Sequence, residues 1–314
     1  MKWRAHQHVV ERDQFQDHCS SYKERIAIRE KEFEQATEGK EKENKGRRLS
    51  QLREEYDGFL EAWQQKQELA KLVPHGAITA DAPKPPEAEQ AQIRLLADGS
   101  ARLPERLLTA EDYFMRGNAY YEAGAYPQAL EAYNRSLELK PDNLDALNNR
   151  GMTLDELKRY EEALKDYSRA LELRPDFPEV LNNRGIILRK LERYDDALKD
   201  YSRALKLRPD FPEVLNNRGV ALAKMERYDE GLKDYDRALE LKPDYMSPLY
   251  NRACAYSLMS WFQESLRDLD AAIKGDEKYR QMARTDEDFE GLRNNPEYGP
   301  RFRELVGEQD QPEG

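Results

Sequence analysis

The sequence predicts an all-α protein in which a tandem array of short helix pairs follows a longer helical N-terminal region. Three observations point there. The chain matches itself at a shift of 34 residues, with Arg-Pro-Asp-Phe-Pro-Glu-Val-Leu-Asn-Asn-Arg-Gly standing at 174–185 and again at 208–219. Apolar residues in the first 73 positions recur three or four apart, the period of a helix face. Of 314 residues, only 39% are apolar while 36% are charged, a balance suited to an elongated body rather than one large closed core.

Taking the elements in order, Phe15, Cys19, Tyr22, Ile26 and Phe33 mark one helix over 5–38, and Leu49, Leu52, Tyr56, Leu60 and Trp63 mark a second over 48–73. The charged stretch Lys40–Arg48, which contains Gly46, is expected to separate them. Each apolar seam is shorter than three heptads, so residues 1–73 are read as a helical hairpin. The alternative is a coiled coil that makes a homo-oligomer through residues 5–73. The region 74–109 then supplies a linker, with Pro83, Pro85 and Pro86 extending part of it, and a short helix over about 87–97.

The repeats occupy 110–143, 144–177, 178–211, 212–245 and 246–279. Gly117, Gly151, Gly185 and Gly219 form one column, closing on Ala253; Ala129, Ala163 and Ala197 form a second, continued by Gly231 and Ser265. A third reads Tyr133, Tyr167, Tyr201, Tyr235 and Leu269, and a fourth Pro141, Pro175, Pro209 and Pro243, lost at Glu277. Each unit reads as two amphipathic helices. Small residues stand where the two backbones must cross closely, and tyrosine fills the space beside them. Proline ends the second helix, and the aspartate after it offers an acceptor near the next helix start. Glycine at 231 in place of alanine is expected to weaken the fourth unit by about 1 kcal/mol.

After the array, Phe289, Leu292, Tyr298, Phe302 and Leu305 are spaced to cap its end over 280–306, and 307–314 is expected to be a disordered tail. In the fifth unit Trp261-Phe262 replaces the Arg-Tyr pairs at 159–160, 193–194 and 227–228. Trp261 is expected either to seal the cap or to form an exposed contact for a partner.

These columns resemble the tetratricopeptide repeat family, whose 34-residue unit has the same glycine, alanine, aromatic and proline pattern, and the resemblance covers 110–279. Asp286–Arg293 is similar to the segment that ends many such arrays. The resemblance implies a right-handed superhelical solenoid whose first helices line a concave groove, and a role in holding a peptide or partner protein.

It also implies that the second, fifth, sixth and ninth positions of each first helix face that groove. The sixth is Asn149, Asn183, Asn217 and Asn251, with Asn148, Asn182 and Asn216 beside it. An asparagine amide both accepts and donates, so a repeating ladder can grip an extended peptide backbone without reading its side chains. It is similar to the asparagine ladder of O-linked N-acetylglucosamine transferases. The other reading is that the asparagines bond neighbouring units and set their twist. The second position carries Glu111, Asp145, Glu179 and Glu213, a carboxylate column that favours a neutral or basic ligand. Its alternative is a solvated face complementing helix dipoles. The clamp by which chaperone-binding members hold a C-terminal carboxylate is not matched: Asn118 and Asn149 fit, but Phe114, Glu179 and Asn183 stand where it needs basic residues.

Charge and motifs exclude other classes. With 51 Lys and Arg against 62 Asp and Glu the net charge is -11, which disfavours nucleic acid and anionic membranes as partners. Through Thr109 the charges nearly balance, 19 basic against 20 acidic, so the acidity belongs to the repeats and cap. No phosphate loop, dinucleotide motif or nucleophile elbow appears, and all four histidines precede residue 76. His6, His8, His18 and Cys19 are badly placed on one helix for a tetrahedral metal site. The sequence therefore predicts a non-enzymatic adaptor without cofactor or metal. Two distant cysteines, Cys19 and Cys254, and a polar opening without an apolar leader predict a soluble cytoplasmic chain.

Overall fold

The computed structural model describes residues 2–35, 39–72, 87–100 and 108–308. Among them there is no strand, and they gather into two compact units that divide between Leu157 and Lys158.

The first unit holds α1 (Lys2–Glu34), α2 (Lys40–Leu72), α3 (Glu87–Ser100), α4 (Ala110–Glu122), α5 (Tyr126–Leu139) and α6 (Leu144–Glu156). Helices α1 and α2 form a hairpin. Its turn lies at Gly39, where φ is +106°, and not along the charged stretch 40–48. That stretch is the first part of α2, because lysine, glutamate and arginine are good helix formers in any solvated setting. Gly46 does not break it; a Cβ there would lie 3.1 Å from the Phe33 ring, so glycine lets the helices approach. Phe15, Tyr22, Phe59 and Trp63 stack along the seam, with Phe15 and Trp63 centroids 4.4 Å apart.

This hairpin is not a free arm. Its core, Cys19, Phe59 and Ala62, continues into Leu108 and Tyr113 at the start of the first repeat. Lys66 of α2 pairs with Asp112 of α4 at 2.6 Å, Arg116 donates to the Ser100 carbonyl, and the Tyr120 hydroxyl donates to Asp98 at 2.7 Å. α3 reaches Ser100, one turn beyond its expected end. The expected linker from Pro74 to Pro86 lies outside the described residues.

The second unit holds α7 (Tyr160–Leu173), α8 (Pro178–Lys190), α9 (Tyr194–Leu207), α10 (Pro212–Lys224), α11 (Tyr228–Leu241), α12 (Met246–Leu258) and α13 (Phe262–Gly275). It closes with α14 (Lys278–Thr285), a 3-10 turn Glu287–Phe289, α15 (Glu290–Arg293) and α16 (Gly299–Val306). Within each pair the glycine column explains itself: a Cβ on Gly185 would come within 2.5 Å of the Tyr201 ring, and one on Gly219 within 2.6 Å of Tyr235. In the fifth repeat both partners change together, Ala253 facing a smaller core residue, Leu269, with both fully buried. Ser265 is buried without loss because its hydroxyl donates to the Ala253 carbonyl at 2.7 Å.

Two local expectations are corrected. The aspartate after each proline falls one residue short of the cap. Asn143 caps α6, whereas Phe177 and Phe211 precede α8 and α10 with no side-chain cap bond. Pro178 and Pro212 at the first helical position remove a donor instead, and Arg174 and Arg208 lie over the two phenylalanine rings. Gly307 is no part of a free tail: at φ +71° it closes α16, and the next amide, that of Glu308, bonds back to Arg303. The rest of the expected tail, 309–314, lies outside the described residues.

Phe289, Leu292 and Phe302 are fully buried against Tyr250, Leu269 and Ile273, which closes the apolar end of the fifth repeat. Among the described residues, no helix is long and apolar enough to cross a membrane.

Candidate functional site

The first helices α8, α10 and α12 share one face of the second unit, α10 touching both of its neighbours. The asparagines tie them together. Asn217 donates to Asn182 at 3.0 Å and Asn251 to Asn216 at 2.8 Å, so the sixth position of one repeat bonds the fifth position of the repeat before it. Asn182 and Asn216 are buried, and Asn182 also donates to Asn183, itself 5% exposed, at 3.5 Å. Asn217 and Asn251 remain partly exposed. Each spends one amide hydrogen on its strut, and among the described residues its carbonyl oxygen has no bond.

In the first unit the asparagines point fully inward. Asn148 and Asn149 are completely buried; Asn148 donates to Asn149, and Asn149 to Asn118 at 2.9 Å. The fifth position of the first repeat is Phe114, which cannot accept, so Asn149 turns to Asn118 at the ninth position, where the Tyr133 hydroxyl also donates. The arrangement is an interior network here and a half-exposed ladder in the second unit.

The carboxylate column is not a bare acidic wall. Glu179 pairs with Arg208, and Glu213 lies 3.5 Å from Lys242. These cations close α9 and α11, 29 residues downstream of their acids. Asp145 is half-buried in the first turn of α6 and Ser247, in the same column, bonds Tyr279. A second recurrent arginine sits beneath this face. Arg184 and Arg218 each hold an aspartate of their own repeat with two bonds of 2.7 Å, Asp200 and Asp234, and each reaches a serine of the preceding repeat. At Arg252 that serine is replaced by Asp236, 2.5 Å away. These latches escaped the sequence reading, although the arginines recur every 34 residues.

A family model described as Tetratricopeptide repeat matches residues 114–178, and a second of the same description matches 178–211 and 212–245. Residues 114–245 are tetratricopeptide repeats. Similar solved structures include MamA, at 19% identity and a TM-score of 0.47 over 52% of this chain and 96% of that one. Another is YrrB, described as a tetratricopeptide protein with an unusual peptide-binding site, at 25% identity and a TM-score of 0.46 over 56% of this chain and 92% of that one. Among curated proteins no significant match is found.

At the far end of the tetratricopeptide array, the cap reaches the same face. The Tyr250 hydroxyl donates to Asp286 at 2.7 Å, the Cys254 thiol lies 3.7 Å from that carboxylate, and Asp288 is 3.8 Å from Lys224. Cys254, Asp286 and Asp288 offer ligand atoms within 4.8 Å of one another. Burial, followed by the two carboxylates, pushes the Cys254 thiol well up, which opposes the thiolate that a metal needs. The group reads as the anchor of the cap. Of the N-terminal metal candidates, His18 packs its ring on Tyr22 and Phe59 and Cys19 is core, while the side chains of His6 and His8 lie outside the described residues.

Proposed function

We propose that this chain is a non-enzymatic adaptor that holds an extended peptide or a partner helix against the first helices of its array. The observation that carries this reading is the division of the ladder in the second unit. Asn182 and Asn216 act as buried struts, while Asn217 and Asn251 are held by them with a carbonyl oxygen and one amide hydrogen left for a ligand. A side chain fixed by one bond loses little further rotamer freedom when it makes the next. Ile186 and Val220, at the ninth position and partly exposed, add apolar contact beside them.

The ion pairs at Glu179 and Glu213 make the ladder region closer to neutral than the acidic count implies, so the preferred ligand is neutral to basic overall and read mainly through its backbone. An oligomeric scaffold is the less supported alternative. The aromatic residues that would join two copies through the N-terminal helices are instead packed inside the hairpin and on the first repeat. Pull-down with wild-type chain and an Asn217→Ala/Asn251→Ala variant tests the reading. Loss of partners from the variant supports it, and an unchanged set contradicts it.

A further inference from the structure

We propose that the turn between α12 and α13 is a second interaction site, one that takes an arginine side chain from a partner segment. The array carries one turn motif three times and then breaks it. In three successive repeats the residue before the second helix is an arginine that holds the acid three positions on. Arg159 grips Glu162 through two bonds of 2.7 Å, Arg193 holds Asp196 at 2.8 Å, and Arg227 grips Glu230 through two bonds of 2.8 Å.

The fifth repeat keeps the acid as Glu264 and replaces the arginine with Trp261. Among the described residues, Glu264 has neither an ion-pair nor a hydrogen-bond partner. Trp261 does not seal the cap; Phe262 does, packing on Tyr298 with centroids 5.9 Å apart. Trp261 instead stacks on Tyr256, centroids 5.7 Å apart and planes 17° from parallel, and stays 48% exposed. The same turn loses a second charge: where α8 and α10 end in Lys190 and Lys224, α12 ends in Leu258, 44% exposed.

An incoming guanidinium satisfies both leftovers at once. Its flat face lies on the indole while its paired donors meet the Glu264 carboxylate, as the chain's own arginines meet theirs. Lysine, a compact point charge, does one or the other. The chain's net charge of -11 draws such a segment in. The site shares no residue with the asparagine ladder, so the two readings stand or fall separately.

The test uses the full isotope-labelled chain and two probes, acetyl-Gly-Arg-Gly-Arg-Gly-amide and the same peptide with lysines. The Trp261 indole and the Ser260 amide report binding. The expected result is a saturable shift with the arginine peptide and about fivefold weaker binding of the lysine peptide. Trp261→Arg restores the clamp that the array already carries three times, so it preserves the fold; it is expected to weaken binding about tenfold, read at Ser260. Glu264→Gln is expected to weaken it about threefold. Equal binding of the two peptides, or undiminished binding by Trp261→Arg, overturns the proposal.

Discussion

Asn217 donates its side-chain amide to Asn182 across 3.0 Å and 35 residues of sequence, tying a partly exposed residue to a buried one in the repeat before it. The two are therefore expected to behave differently when truncated. Asn217→Ala strands the buried Asn182 carbonyl oxygen and should destabilise the chain by about 2 kcal/mol, whereas Asn182→Ala removes that acceptor and leaves the partly exposed Asn217 to water, and should cost about 1 kcal/mol. Denaturant unfolding of the two variants measures the difference.

Lys66 and Asp112 hold the hairpin to the first repeat, each side chain only 10% exposed. Removing the lysine strands a poorly hydrated carboxylate, so Lys66→Ala should loosen that junction by about 3 kcal/mol, seen as faster hydrogen exchange in α2 and α4. Arg53→Ala, which breaks the exposed pair with Glu30, should change stability by less than about 0.5 kcal/mol.

The turns inside the repeats force a left-handed residue at Gly124, Lys158, Glu192, Glu226 and Ser260, all with φ between 57° and 68°. Only the first repeat uses glycine there. Glu192→Gly and Glu226→Gly relieve the Cβ crowding and should each stabilise the chain by about 1 kcal/mol, less the entropy glycine adds to the unfolded state. Thermal unfolding checks the sign.

Burial, and then the Asp286 charge, hold the Asp288 carboxyl above the ordinary aspartate value of 3.8 despite Lys224. A raised acid pKa in the fold means that stability is fullest below that ordinary value and is lost as pH rises through the folded one. Asp288→Asn should therefore be more stable than wild type at neutral pH, with the gap closing as the solution is acidified. A gap independent of pH in unfolding curves would remove the ionisation from the account.

Much of this was legible in the sequence because the repeat imposes the same packing problem five times. Gly185 and Tyr201 could be paired from their columns, since one needs the space the other fills. Partners outside the period could not. Glu179 and Arg208 sit 29 residues apart, and only the bend at Pro209 brings them together. The ladder's direction was hidden for a similar reason: adjacent asparagines lie about 100° apart on a helix, and sequence alone does not say which one looks inward. The helix through Lys40–Arg48 was masked by its charge, which keeps it wet without making it irregular. The Trp261 change was visible as a broken column, but its exposure was not, because Phe262 beside it was equally able to fill the cap.

The most direct test of the central claim is the affinity of one captured peptide for the wild-type chain and for Asn217→Ala/Asn251→Ala, compared at matched thermal stability. If these two amides hold the ligand backbone, the variant should bind about tenfold more weakly, the equivalent of one to two lost hydrogen bonds. An unchanged affinity would contradict the claim and leave the ladder as a device that only joins one repeat to the next.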